Sequence, residues 1–223
     1  PHKKGFNRTY WDFRREQLPS VDQVFVYGDY SGSRVAPGNY KARLSYGAEV
    51  KEVEFTILPN PNRDYVAADF EEQQMLLINI EKAIKRIHQS VSEMRSVQSQ
   101  LQHYSKILKG KSTYSALYDE ALAIEEQLKK WEAELIQPEQ KTFQDVINFN
   151  NKLNAEWMHL KSYVDAEDPK VTQGAKDRYQ DLLTQWIIHE QALEGVIEKE
   201  FKSFEKAYRE ANVPVLMVNL DSE

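Results

Sequence analysis

The stretch from about Phe70 to Leu108 contains neither proline nor glycine, and its apolar residues include Leu77, Ile80, Ile84, Ile87, Val91, Met94, Leu101 and Leu108. That is largely the three-and-four step that keeps one stripe of an α-helix turned toward a partner. Such a helix reaches about 58 Å at 1.5 Å per residue. It is longer than a small globular domain is wide, so the chain is expected to fold as helices packed along this one.

The residues that follow supply them. A second amphipathic segment, from about Thr113 to Ile136, aligns Leu117, Ala121, Ile124, Leu128, Trp131 and Leu135. A third begins at Thr142, with Asp145 at the capping-box offset, and carries Phe143, Val146, Leu153, Trp157, Leu160 and Val164. The fourth starts between Pro169 and Gly174 and runs to about Ala211 with the seam Tyr179, Leu183, Trp186, Leu193, Ile197, Phe204 and Tyr208; Gly195 weakens it without stopping it. Short connections predict antiparallel neighbours, hence an up-down bundle of four helices of unequal length, the long first and fourth projecting past the shorter pair. Asp64 or Asp69 is placed to cap the first helix and Gly110, between two lysines, to end it. The apolar tail Val213–Val218 is strand-like and has no assigned packing.

Residues 1–63 read differently. Tyr40, Ala42, Leu44 and Tyr46 alternate with polar residues, as do Val53, Phe55 and Ile57, and Tyr46-Gly47-Ala48-Glu49 between them suits a type II′ hairpin turn. Val24–Tyr27 is a further short β-rich run. Pro59-Asn60-Pro61 stops the last strand. The expected class is therefore α+β, with a β domain over 1–63 and a helical domain with an apolar tail over 64–223.

Charge divides along the same line. Residues 1–63 hold ten Lys/Arg against seven Asp/Glu, whereas the remainder of this chain of net charge -6 is strongly acidic and repels phosphate backbones, so nucleic acid is not an expected partner. There is no cysteine, which excludes disulfides and thiolate metal sites. No apolar run is long enough to span a membrane. The start, Pro1-His2-Lys3-Lys4, lacks both an initiator Met and a signal-peptide core, so the chain reads as an excised or processed part of a longer one.

Two short motifs in the β region carry a resemblance. Gly5-Phe6-Asn7-Arg8-Thr9-Tyr10-Trp11-Asp12, followed at a distance by Val35-Ala36-Pro37-Gly38-Asn39-Tyr40 and an alternating strand, resembles the C-terminal region of bacterial sialidase-type repeat and sortilin-type propeller proteins. There a module similar to the immunoglobulin-like domain of the flagellar hook-capping protein precedes a helical segment. The resemblance implies a partial immunoglobulin-like β-sandwich ahead of the helices, export to the periplasm, cell surface or medium, and a non-catalytic accessory, scaffolding or partner-binding role. Its partner would be the protein's own upstream propeller or another protein. The rival implication is the C-terminal part of a sialidase-like glycoside hydrolase whose active site lies in the propeller, and a third reading is a cytosolic coiled-coil adaptor. About four strands are legible, fewer than the seven of a full sandwich. Trp11 is expected as a core anchor and Asp12 as the holder of the turn that follows. Tyr27, Asp29 and Tyr30 mark a candidate binding loop, a solvated connection being the plainer account.

Catalytic signatures are weak. Glu156-Trp157-Met158-His159 has the Glu-x-x-His spacing of di-iron helices but no second copy, and His189-Glu190 lacks the second histidine of a zinc-protease helix. Glu71-Glu72 and Glu125-Glu126 fit solvated helix faces. No phosphate loop or nucleophile elbow is present, and no catalytic residue, cofactor or metal is expected.

Overall fold

The structure is a computed structural model that describes residues 4–26 and 28–214, apart from the side chain of Phe143. Helix dominates. Strands β1 (Gly38–Tyr46) and β2 (Glu49–Ile57) form one two-stranded antiparallel sheet. Helices α1 (Ala67–Leu108), α2 (Ser115–Leu135), α3 (Leu153–Val164), α4 (Gln173–Gly195) and α5 (Lys202–Glu210) follow, with a π-helical segment, Val196–Phe201, joining α4 to α5.

Helix α1 follows its sequence pattern closely. All eight of its expected seam residues are buried, and Gly110 takes the left-handed conformation at φ 77° just past the end. Its start differs from expectation. Val66 is the N-cap, and Asp69 sits inside the first turn, where its carboxylate accepts from the Val66 N–H at 3.0 Å.

Interhelical contacts fix the directions. Glu72–Lys176, Arg86–Glu190 and the ring pair Tyr104–Tyr208 join α1 to α4 and α5 at a constant spacing in the chain, so α4 through α5 is one rod parallel to α1. Helices α2 and α3 both run back along α1. Arg95 meets Glu132 at 2.7 Å and Gln102 meets Glu125 at 2.9 Å, while the Gln73 side chain donates to the Val164 carbonyl at 2.8 Å. The 22 residues from Arg95 back to Gln73 thus face the 32 from Glu132 to Val164, so ten are surplus to a continuous helix. The stretch between α2 and α3 absorbs them.

This corrects the expectation of four helices side by side. The two short helices stand end to end as one broken rod, and the described residues form three rods. The third segment also begins later than its cap suggested. Asp145 does accept from the N–H groups of Lys141 and Thr142, both at 2.7 Å, but the turn it caps is a five-residue 3₁₀ helix, Phe143–Ile147. Asn148, Asn150 and Asn151 follow, and asparagine side chains compete with helical hydrogen bonding. Val146 is accordingly at the surface, while Leu153, Trp157, Leu160 and Val164 are buried.

Gly195 does not end its helix, yet the hydrogen-bond ladder slips to the wider π pattern immediately after it. The slipped helix still brings Val196 and Phe204 into the core. Trp131, Trp157 and Trp186 are buried among the rods. Among the described residues no helix is long and apolar enough to cross a membrane.

The β region departs most from expectation. The hairpin has the predicted register, Tyr40 opposite Phe55 and Tyr46 opposite Glu49, and Gly47 supplies φ 58° at the first turn position. No other strands join it among the described residues, so the partial sandwich is reduced there to two strands. Val24–Val26 is not a strand; Val26 is buried against the helices, and Tyr27 lies outside the described residues. Val213 packs at the edge of the core, and the rest of the apolar tail, residues 215–218, lies outside the described residues.

Candidate functional site

The hairpin and the segment before it pose opposite problems of solvation. Residues 14–26 and 28–34 form a strap laid across α1 and α3. Leu18, Val21 and Val26 belong to the same apolar core as the helices, so this part of the region assigned to the β domain is packed into the helical body. A chain crossing a helical surface has no ladder to satisfy its backbone groups, and each buried one needs a partner. Within the strap the two arms bond each other, Arg15 N–H to Ser33 O at 3.0 Å, Leu18 N–H to Tyr30 O at 2.6 Å. Val35 N–H to Phe13 O closes its open end at 2.9 Å.

The helices supply the remaining partners. Glu81 of α1 accepts from the Ser33 N–H at 2.6 Å, Lys161 of α3 donates to Ser31 O, and Arg95 donates to Asp22 O at 2.5 Å. His88 lies 2.7 Å from Pro19 O through Nδ1. After α3, Asp165 accepts from the Arg34 N–H at 2.9 Å and pairs with Arg14 at 2.7 Å; Arg14 in turn reaches Gly32 O. Glu81, His88 and Lys161 are buried polar residues on otherwise apolar faces because their partners are the strap's own backbone. Sequence reading passed over them. The signal available was a charge or an imidazole at the inward phase of each helix.

Gly32 sets how closely the arms approach. A Cβ there would stand 2.5 Å from the carbonyl oxygens of Arg15 and Glu16, inside contact distance.

Of the candidate binding loop, Asp29 and Tyr30 lie in this strap and serve it. Asp29 accepts from the hydroxyl and N–H of Ser31, and the hydroxyl bond is the main cause holding its carboxyl below the usual carboxylate range. Lys161 lies 3.7 Å away. Tyr30 turns inward, its ring 5.7 Å from that of His88, and burial raises its phenol. Tyr30 thus faces the core, while Asp29 stays exposed at the surface.

The hairpin is the reverse case. Tyr40, Ala42, Leu44 and Tyr46 share a face with Val53, Phe55 and Ile57, and with Lys51 and Glu49 opposite Leu44 and Tyr46 at its tip, while Lys41, Arg43, Glu52 and Glu54 occupy the other. Arg43 bonds Glu52 at 2.6 Å and Lys41 reaches both glutamates. The apolar face is open beyond its base, with Leu44 at 65 % and Val53 at 61 % of full exposure. At the base Trp11 meets Phe13, Tyr40 and Phe55 at centroid distances of 5.3, 5.8 and 6.1 Å. Trp11 is therefore the hub of a surface aromatic cluster, 43 % exposed, and not a core anchor. Its indole N–H donates to Arg14 O at 2.7 Å and Asp12 accepts from the Arg14 N–H at 3.1 Å, which fastens the cluster to the strap.

The residues weighed for catalysis lie elsewhere. Glu156 bonds Arg178 of α4 at 2.8 Å, beside a shallow α3–α4 groove of about 210 Å³ that His159 and Tyr163 also line. Among the described residues no three His, Asp or Glu side chains converge as a metal site. His189 sits half-buried on α4, and its carbonyl accepts from the Trp131 indole at 2.9 Å. Comparison with family models, with curated proteins and with solved structures gives no match.

Proposed function

We propose that this region is a non-catalytic accessory element of an exported propeller protein, which presents an apolar β face to a partner domain at one end of a helical stalk. The observation that carries this reading is the open face around Leu44 and Val53, flanked by the Trp11 aromatic cluster and fixed to the helices by the strap. Exposed apolar surface of this kind, bordered by charge, is a feature of interaction sites.

The size of the face bears on the kind of partner. Two nine-residue strands present about 30 Å by 10 Å, or roughly 300 Å², as an upper bound, because Lys51 and Glu49 occupy the tip of that face. A free-standing complex commonly buries about 800 Å² on each partner. A cover tethered in the same polypeptide needs less, because the linker raises its effective concentration. This favours the protein's own upstream part over a freely diffusing one. In this reading the hairpin is a fragment of an immunoglobulin-like module completed by strands from before residue 1, and the helical rods are its support.

The test compares this region alone with a polypeptide extended upstream, by hydrogen exchange and by the solubility of Leu44→Asp/Val53→Asp variants. The expected result is protection of the hairpin in the longer chain, lost in the double variant. Equal exchange in both chains would remove the intramolecular cover, and hydrolysis of a sialoside by this region alone would overturn the non-catalytic reading.

A further inference from the structure

His88 is fully buried at the centre of the strap's footprint on α1. A carbonyl can only accept, so the 2.7 Å contact with Pro19 O places the imidazole proton on Nδ1. Nε2 is then the bare acceptor of a neutral ring. It is buried, with no hydrogen-bond partner, and so is the Tyr30 hydroxyl of the strap that packs over the ring.

Glu16 and Asp22 of the strap are exposed and Lys85 of α1 is half-buried; most other charged groups around it are already committed. On α1, Glu81 holds the Ser33 N–H, and Arg95 holds Asp22 O together with Glu132 of α2. On α3, Lys161 holds Ser31 O; after it, Asp165 holds Arg14 and the Arg34 N–H; on the strap, Asp29 holds Ser31. Among the described residues no carboxylate is bonded to the imidazole. A second proton on His88 would put a charge and an unpaired donor in a dry site.

We propose that protonation of His88 unlatches the strap from the helices, freeing the hairpin and its aromatic cluster to reorient at that end of the rods. The strap is the element that yields. It is held over α1 by individual side-chain contacts, whereas the helix beneath has a continuous ladder, and lifting the strap is the shortest route by which water reaches Nε2.

Burial holds the imidazole below its ordinary 6.5, with the Pro19 bond opposing in part. A depressed folded-state value means stability that is present above 6.5 and lost as pH falls through the folded value. The open population rises about tenfold per unit of pH between 6.5 and that value and levels off below it. Ordinary carboxylates and ammonium groups keep their charge between pH 5.0 and 7.5, so this window isolates imidazoles.

Hydrogen exchange of the whole chain at pH 7.5 and 5.0, corrected for the intrinsic rate, tests the latch. The amides of Arg15, Leu18, Ser33 and Arg34 are expected to lose protection at pH 5.0 while mid-α1 amides keep theirs. In His88→Gln, whose amide retains a donor for Pro19 O, strap protection should be the same at both pH values. An unchanged strap in the wild type, or the same loss in His88→Gln, would overturn the proposal. Should that variant not fold, the wild-type His88 ring resonances decide: their titration midpoint must coincide with the midpoint of strap opening, and separate midpoints sink the latch.

Discussion

The strap and the hairpin lie within 45 residues of one another, and the one that looks like a folded unit in sequence is the one left in solvent. Residues 38–57 alternate cleanly and carry a sound turn, yet most of their side chains are exposed. Residues 14–34 are rich in charge and turn formers and have no regular structure beyond one bridge, yet they contribute Leu18, Val21 and Val26 to the core. Alternation reports that a segment can form a strand; it does not report whether anything covers the strand. An irregular segment can be buried when other elements send it donors and acceptors, as Glu81, His88 and Lys161 do here.

Four substitutions would break or sharpen this contrast, from the helices the strap rests on out to the open face. Trp157→Ala removes a fully buried indole at the α3–α4 contact, 5.6 Å from the Tyr179 ring, and should cost about 3–5 kcal/mol in urea unfolding. Gly32→Ala should cost about 1–3 kcal/mol, because the methyl meets two backbone carbonyls that can move only by parting the strap's arms. Its loss of exchange protection should be centred on Arg15 and Ser33. Gly47→Ala, at a positive-φ turn with open space around it, should cost about 1 kcal/mol or less of global stability, the strain falling on the exposed hairpin alone. Leu44→Asp should change the stability of this region by less than about 0.5 kcal/mol, since the side chain is already in water. A larger cost for Leu44→Asp than for Gly32→Ala would reverse the ranking of the two segments.

Much of the helical fold could be read from residues because one physical rule set it: the seams of α1 and α2 bury on a 3.6-residue period, and every seam residue named for them is inside. The hairpin register followed equally from Gly47 and the alternation. Three features were not legible. The stacking of α2 on α3 depends on how ten surplus residues are spent between Leu135 and Leu153, and periodicity on either side carries no information about that. The π turn after Gly195 keeps the residues helical, so it leaves the apolar pattern nearly intact.

The strap was hidden for a different reason. Its anchors are polar side chains facing backbone groups, and a sequence pattern shows polarity without showing what it points at. The same limit applies to the candidate site. Asp29 and Tyr30 belong to a distinctive segment, in which Asp29 bonds Ser31 and Tyr30 turns to the core, while the open surface lies on residues whose alternation had suggested a sheltered sheet.

Amide exchange across the whole chain at neutral pH measures this most directly. The amides of Arg15, Leu18 and Ser33 should be protected to a degree approaching that of mid-α1, and those of the hairpin around Leu44 and Val53 should exchange faster than the strap. A strap that exchanges freely while the hairpin is protected would contradict the account.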